Sequence, residues 1–415
     1  MNFFSRVCQK RNPVASERQD FFTRLSDQTG IGQSVEDTVL AVLCVSLFLH
    51  WIVTSAVLFG VGIWVLCSKR RLLSSCDVHP SALFVLGLLF LFALYSLLIG
   101  NAYSAIGFFA ISVMVILAFW VRSFMTRERF LRFLDISIAM SFFCALYGVL
   151  DYFVFHATER DYLMQSTTNN ANFYGLQLVF LILSALFRLE QNGWKRHLFF
   201  YLSSILINFV MLLLTESVAS FFGLLLGLLL SLFLFCHYKS FGTLFGGLGG
   251  VFFLELLLPN GPLNSAFLYP FLERVELWRI GWHSITENTR NFLFGQGLFS
   301  YQEIWDRASH SFWDVRGVVP RDFQPHVHNL YLELFLSVGL AGLLLLFAYA
   351  IVQGRLIYRG TKSDFTRPYS HFLIILTSVV FFSNVADVSI FWMQCGVWFL
   401  LSTSCLGISE QRERA

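Results

Sequence analysis

Long apolar segments follow one another along most of this chain, and they limit its fold more than any other feature. Only 13% of the 415 residues are charged, against about 25% in a soluble domain. Each segment approaches the roughly 20 apolar residues that a membrane-spanning helix needs. The candidate spans lie near residues 36–50, 52–67, 81–99, 103–121, 131–155, 172–187, 197–214, 217–236, 240–258, 330–353, 370–386 and 388–407.

This pattern predicts an all-α polytopic membrane protein of about 12 transmembrane helices, in which the first two form a tight pair of short helices. Of the 29 lysines and arginines, 22 fall in segments on one side of this layout, including the polar N-terminal segment. The positive-inside rule therefore predicts that both termini are cytoplasmic. The predicted organisation is a tail over 1–35, a bundle over 36–258, an extracytoplasmic loop over 259–328, a second part of the bundle over 329–408, and a tail over 409–415.

The large loop is the main candidate for chemistry. It contains no cysteine, so packing and hydrogen bonds must hold it together. Its cations are all arginines, whose planar guanidinium suits bidentate contacts with phosphate; alternatively, they balance the loop's own acids. Apolar residues at helical spacing predict a helix over residues 272–287 that carries Arg274 and Arg279. A turn with two glycines is predicted at residues 291–297.

The loop ends in His326-Val-His328-Asn329, directly before the tenth predicted span. Residues at the start of a helix lie beside free backbone N–H groups, which favour anions. A neutral imidazole here is a candidate general base. Two alternatives stay open. The histidines are interfacial residues with satisfied hydrogen bonds, or they form a His-x-His metal pair, whose third ligand would be His283, His310 or an acid.

Other polar residues fall in short turns that this layout places on the same side as the loop. They include Glu216, Asn384 and Asp387. Charged groups near membrane depth are costly and tend to be functional. These side chains either line a shared outward cavity or are ordinary turn residues.

Four stretches of the C-terminal 60% of the chain, taken in order and spacing, resemble the superfamily of O-antigen ligases and O-antigen polymerases. The turn Asn384-Val-Ala-Asp387 also looks like the last outer turn of that family. The four stretches are Asn170-Ala-Asn172-Phe-Tyr-Gly175, Leu214-Thr-Glu-Ser217, Glu273-Arg274-Val-Glu-Leu-Trp278-Arg279 through Phe294-Gly-Gln-Gly297, and His326-Val-His328-Asn329-Leu-Tyr-Leu-Glu333 with Gly339 and Gly342.

The resemblance implies a metal-independent, cofactor-free glycosyltransferase of the GT-C type in a bacterial inner membrane. Such an enzyme takes a glycan from an undecaprenyl-diphosphate carrier on the outer face. It transfers the glycan to a hydroxyl of an acceptor glycan, which is lipid A core, a carrier-linked repeat or another glycan. Carried over by motif, Arg274 would hold the diphosphate and His328 would activate the acceptor hydroxyl. The further substrate-binding candidates are Arg279, Asn329, Asn172, Glu333 and Arg321.

The chain departs from the family at one position. Many members carry Ser-Arg or Thr-Arg between the seventh and eighth spans, whereas this chain has Ser217-Val218. Either another arginine, such as Arg279 or Arg321, takes that role, or the carrier or acceptor differs. Ligase and polymerase activity stay open. The alternative from another class is a transporter or flippase of a lipid-linked sugar, although the chain shows no matched halves with broken spans.

Overall fold

The computed structural model of the chain describes residues 31–68, 80–156, 163–192, 197–235, 262–312 and 326–408. It is about 85% helical and has no strand among these residues. The predicted all-α fold class is therefore confirmed.

The first half of the described chain consists of apolar helices. A π-helical turn, Asp151–Phe155, continues the fifth helix, and a 3-10 turn, Ser166–Thr168, precedes the sixth. The helices are α1 (Ile31–Ser46), α2 (Trp51–Ser68), α3 (Pro80–Leu98), α4 (Ala102–Phe124), α5 (Arg127–Leu150), α6 (Ala171–Asn192), α7 (Leu198–Leu214) and α8 (Val218–Phe235).

The second half contains three helices of the predicted loop and then the C-terminal helices. The loop helices are α9 (Pro262–Thr286), α10 (Thr289–Phe294) and α11 (Tyr301–Phe312). They are followed by α12 (Leu330–Gly360), α13 (Arg367–Ser383) and α14 (Met393–Ser402).

Apolar length and exposure indicate a membrane protein. Four described helical segments are long and apolar enough to cross a membrane by length and composition: Ala102–Phe124, Arg127–Phe155, Ala171–Gln191 and Leu330–Gly360. Shorter apolar helices lie at Trp51–Val65, Leu83–Leu98, Leu198–Leu214 and Val218–Leu234. Large apolar side chains such as Phe199, Phe233 and Leu98 are 86%, 80% and 78% exposed, as expected for groups that face lipid rather than water. The count of 12 spans stays a prediction, and the ninth predicted span lies outside the described residues.

The predicted spans at the two ends of the chain can be compared with the observed helices. The expected short pair over 36–67 is present as α1 and α2. The span predicted over 388–407 is not one continuous α-helix, because α14 is flanked by the 3-10 turns Ser389–Phe391 and Thr403–Gly407. The side chain of Asn384 explains the first break, since its Oδ1 accepts the N–H of Ile390 at 3.1 Å. Such side-chain bonds compete with the helical pattern.

The described part of the loop has its own small core. Leu277, Ile280 and Ile285 of α9 pack with Tyr301, Ile304 and Trp305 of α11, and with Val327 and Leu336. Packing and hydrogen bonds hold this part of the loop, as predicted. The predicted helix over 272–287 is also present, as the C-terminal part of the longer α9.

A break in α12 joins the loop to the bundle. Gly339 has φ 63° and ψ −173°, so the helix is interrupted there. The carbonyls of Leu336 and Ser337 accept the N–H groups of Gln296 and Gly297 at 2.7 and 3.0 Å. The turn predicted at 291–297 is wrong for residues 291–294, which belong to the short helix α10, whereas residues 295–297 form the segment that docks into this break. Helices α9 to α11 are thereby fixed over the first turns of α12.

Candidate functional site

Two chain segments meet at one end of the bundle, which we call the His328 end. The N–H of Leu330, the first residue of α12, donates to the carbonyl of Asn384 at 2.9 Å. Asn329 caps α12, since its Oδ1 accepts the N–H groups of Tyr331 and Leu332, both at 3.0 Å, and its Nδ2 donates to the carbonyl of Val385 at 2.8 Å. Asn329 thus fixes the turn after α13 against the start of α12.

The half-buried His328 and the buried Asp387 form a pair at this junction. Nδ1 of His328 lies 3.2 Å from Oδ1 of Asp387, and the hydroxyl of Ser389 donates to the other carboxylate oxygen. Asp387 is 2% exposed, and a buried carboxylate is stable only when it is paired or hydrogen-bonded. His328 has φ 51°, a left-handed conformation that a non-glycine residue adopts only when its surroundings fix it.

Opposing influences set the charge of Asp387. Burial by itself raises the pKa of the carboxyl group. The hydrogen bond from His328, the charges of the His328 and His326 rings, and the hydroxyl of Ser389 outweigh burial and lower the pKa from 3.8 to about 2. A fixed negative charge therefore faces His328 at neutral pH.

His326 is the third member of this cluster. Its ring lies 4.3 Å from the His328 ring in a T-shaped contact, and its buried Nδ1 has no hydrogen-bond partner among the described residues. Burial and the neighbouring His328 lower its pKa from 6.5 to about 4, although Asp387 opposes this. His326 is therefore neutral at neutral pH.

The same three side chains have a spacing that would suit a metal ion. His326, His328 and Asp387 each offer one ligand atom, and these atoms lie within 4.8 Å of one another. Asp387 is thus the acid that a His-x-His metal pair would need. Both of its carboxylate oxygens already accept hydrogen bonds, which a metal would have to displace. The absence of a metal stays a prediction.

Glu333 and Val327 orient the two histidines. Glu333 is 5% exposed, and its Oε2 accepts the N–H of Val327 at 3.1 Å. Val327 itself is fully buried in the loop core. Because the residue between the histidines is held inward, His326 and His328 are presented together on the other side. The observed contact of Glu333 is therefore a structural one, and the predicted contact with substrate stays a prediction.

Arg274 and Arg279 lie on α9, the helix that contacts the cluster through Trp278. Nε1 of Trp278 donates to the carbonyl of His328 at 3.4 Å, which brings this helix against the histidine. Arg274 is half-buried one turn earlier, on the same helix face as Trp278. The side chain of Arg279 is 63% exposed and pairs with Glu276 at 3.9 Å. Arg321 lies outside the described residues.

Asn172 stands at the start of α6 and is half-buried. Its N–H donates to Oδ1 of Asn170 at 2.9 Å, so the first asparagine of the motif caps the helix. The next residue, Phe173, has its ring 6.4 Å from that of His326. The structure thus brings the Asn170–Gly175 stretch to the histidine cluster.

The sequence alone assigns no specific role to three members of this arrangement. It presents Asp387 as a residue of an outer turn that either lines a cavity or has no function, Trp278 as part of a predicted helix within a family-like stretch, and Ser389 only as part of a predicted span. No spacing rule connects Asp387 with His328, because 59 residues separate them. The one usable signal is the position of the Asn384–Asp387 turn on the same side of the layout as the loop.

Comparison with known proteins leaves the family open. No protein-family model matches the chain, and no curated protein matches it. The resemblance to the O-antigen ligases and polymerases therefore rests on the motifs quoted above.

Proposed function

We propose that this protein is a membrane glycosyltransferase of surface polysaccharide assembly, of the O-antigen ligase or polymerase type. It transfers a glycan from an undecaprenyl-diphosphate carrier to a hydroxyl of an acceptor glycan on the outer face of a bacterial inner membrane. The observation that supports this proposal most is the pair of His328 and Asp387 beside the arginine-bearing helix α9.

The pair suits general-base chemistry. When Nδ1–H of His328 donates to Asp387, the lone pair of the imidazole is on Nε2. That nitrogen takes the proton of the acceptor hydroxyl while the hydroxyl oxygen attacks the anomeric carbon of the donor sugar. The charge of Asp387 stabilises the imidazolium that forms, and it holds the ring in the required tautomer.

The leaving group determines the role of the arginine. As the new glycosidic bond forms, the bond between the anomeric carbon and the phosphate oxygen breaks, and the lipid diphosphate leaves with the electron pair. Arg274 on α9 would hold the two phosphates and stabilise the charge that develops on them. Because a diphosphate is a good leaving group, positioning and charge stabilisation suffice without a metal.

The proposal is tested in the host strain lacking its own copy of the gene. We expect that the His328→Ala and Arg274→Ala variants, at unchanged protein level, fail to restore surface glycan attachment or length. Arg307→Ala is the matched control, because it removes a loop arginine that is exposed on α11. We expect this control to behave as wild type, and we expect EDTA to leave transfer by the purified wild-type protein unchanged.

The leaflet in which the donor accumulates separates the two classes of function. A transferase defect leaves lipid-linked glycan in the outer leaflet, whereas a flippase defect leaves it in the inner leaflet. Wild-type glycan in both alanine variants would contradict the proposed residues. Inner-leaflet accumulation in the gene deletion would instead favour the transporter.

A further inference from the structure

A continuous series of ring contacts leads away from His328. We call His328, His326, Phe173, Trp392, Trp51 and His50 the ring ladder. Starting at His328, the successive centroid distances are 4.3, 6.4, 4.8, 6.5 and 5.7 Å. The rings come from separate parts of the chain, so only the tertiary fold brings them into one row.

The ladder changes from buried to exposed along its length. Phe173 is 7% exposed, whereas Trp51 is 40% exposed, and His50 is exposed as well. Polar groups lie at the exposed end, where Nδ2 of Asn169 is 3.1 Å from Nε2 of His50. A ligand that reached His328 from this side would therefore first meet the exposed indole of Trp51 and the polar groups of His50 and Asn169.

Hydrogen bonds hold the middle of the ladder in place. Nε1 of Trp392 donates to Oε1 of Gln394 at 2.7 Å, and Nε2 of Gln394 donates to the carbonyl of Leu49 at 2.6 Å. Phe173 stacks on Trp392 with an interplanar angle of 25°. The ring orientations are thus set before any ligand arrives, which reduces the entropy lost on binding.

This combination matches the chemistry of a sugar chain. A pyranose has faces of polarised C–H groups, which are attracted to the negative face of an aromatic ring, and edges of hydroxyl groups, which bond to amides and imidazoles. A belt of aromatic residues at the membrane surface would also expose tryptophan. Such a belt does not account for the inner end of the ladder, where His326 and His328 are half-buried.

We propose that the ring ladder is the subsite for the acceptor glycan. This inference rests on the proposed function, because the ladder ends at the ring that takes the proton of the acceptor hydroxyl. The donor diphosphate is assigned to Arg274 on α9, and this helix contacts the backbone carbonyl of His328 through Trp278. The rest of the ladder instead contacts the imidazole ring of His328. The two substrates thus approach the same residue by different contacts.

The test changes the exposed end of the ladder, where a substitution leaves the core intact. The purified protein is assayed with lipid-diphosphate glycan and with acceptor glycan extracted from the deletion strain. We expect Trp51→Ala to raise the KM for acceptor about tenfold, as loss of one stacking contact implies, and to leave the KM for donor unchanged. Trp51→Tyr keeps a ring and should stay within about twofold of wild type.

Phe155→Ala is the control, since Phe155 is an aromatic residue that is 68% exposed outside the ladder. Acceptor binding is also measured by saturation-transfer NMR on the His328→Ala protein, with and without Trp51→Ala, so that the result does not depend on turnover. If the acceptor glycan binds the His328→Ala protein but not the protein that also carries Trp51→Ala, the subsite is supported even if no transferase activity is detected. Equal effects of Trp51→Ala and Phe155→Ala on the KM for acceptor would indicate an aromatic belt at the membrane surface and would overturn the proposed subsite. A raised KM for donor in Trp51→Ala would assign the ladder to the donor and would also overturn the proposal.

Discussion

His328 combines a strained backbone with several fixed neighbours. Its φ of 51° costs on the order of 1–3 kcal/mol in a non-glycine residue. The cap formed by Asn329 on one side, the indole of Trp278 at its carbonyl, and the carboxylate of Asp387 at its ring maintain this conformation. Strain of this kind is typical of residues whose side chain must point in one functional direction.

The negative charge of Asp387 can be tested with a substitution that keeps the shape of its side chain. Asp387→Asn keeps the shape of the side chain but removes the negative charge that faces the imidazolium. We expect the transfer rate to fall by about 100-fold to 10,000-fold, the range for loss of general-base support, while the yield of folded protein is preserved. The measurement is single-turnover transfer by the purified protein.

Asp306→Asn provides the comparison, because Asp306 is an exposed acid on the loop helix α11. It should transfer glycan at the wild-type rate. A fully active Asp387→Asn variant would remove Asp387 from the mechanism.

The lowered pKa of His326 makes the free energy of unfolding depend on pH. Its pKa in the folded protein is lowered from 6.5 to about 4, first by burial and then by His328, against the influence of Asp387. The unfolded chain therefore binds more protons between about pH 4 and pH 6.5, and stability rises with pH across this window and is level above it. We expect wild type to lose on the order of 2 kcal/mol on going from pH 6.5 to pH 4 as a result of this residue.

The measurement is thermal unfolding in detergent at a series of pH values. His326→Phe, which keeps an aromatic ring but cannot titrate, should flatten the dependence in this window. His283→Phe changes an exposed histidine of α9 and should leave it as in wild type. Identical curves for wild type and His326→Phe would show that His326 does not cause the dependence.

The break in α12 requires a glycine at position 339. A Cβ added at Gly339 would lie 2.4 Å from the backbone of Leu293 and Phe294, and the backbone φ there is positive. We expect Gly339→Ala to destabilise the protein by about 2–4 kcal/mol, from overpacking and strain together. Thermal unfolding of the purified protein measures this loss.

Gly354 lies on the same helix, and a Cβ added there would have no neighbouring atom within 4 Å. Gly354→Ala should therefore be neutral or stabilise the helix by up to about 1 kcal/mol. If both alanine variants unfolded at the same temperature, the tight docking of the loop at Gly339 would be refuted.

Elements differ in how far their local sequence determines them. The positions of α1 to α8 could be predicted, because each depends on a local run of apolar residues. The break at Gly339 could not, since it requires Gln296 and Gly297 to bond to carbonyls some 40 residues away. For the same reason the local motif indicates His328, whereas its partner Asp387 emerges only from the tertiary fold.

Among the described residues, several ion pairs lie far from the histidine cluster. Arg129 pairs with Glu36 and Asp37 at 3.1 and 2.7 Å, and Arg188 binds Asp135 through two nitrogens at 2.6 and 2.7 Å. These ion pairs lie at the start of α5 and near the end of α6, away from the His328 end. The proposed topology assigns them to the cytoplasmic side.

Thiol labelling in intact cells tests this topology. Cys67 is exposed near the end of α2, on the side proposed to be cytoplasmic, and Glu303 is exposed on the loop helix α11. With Cys8, Cys76 and Cys236 replaced by Ser, we expect Cys67 to react only with a membrane-permeant maleimide. In the same background, Glu303→Cys should also react with an impermeant maleimide, because the loop is proposed to face outward. The reverse pattern would invert the proposed orientation.

The interruption at Gly339 also affects how the proposed reaction centre responds to the thickness of the bilayer. Beyond it, residues 340–360 continue for roughly 31 Å at 1.5 Å per residue, and their last turns carry Arg355 and Arg359 at the predicted cytoplasmic surface. A thicker or thinner bilayer is accommodated by tilting such a segment. Since residues 330–338 are also held by the loop core and by the turn after α13, we expect a change in lipid chain length to tilt the later segment more than the residues around His328.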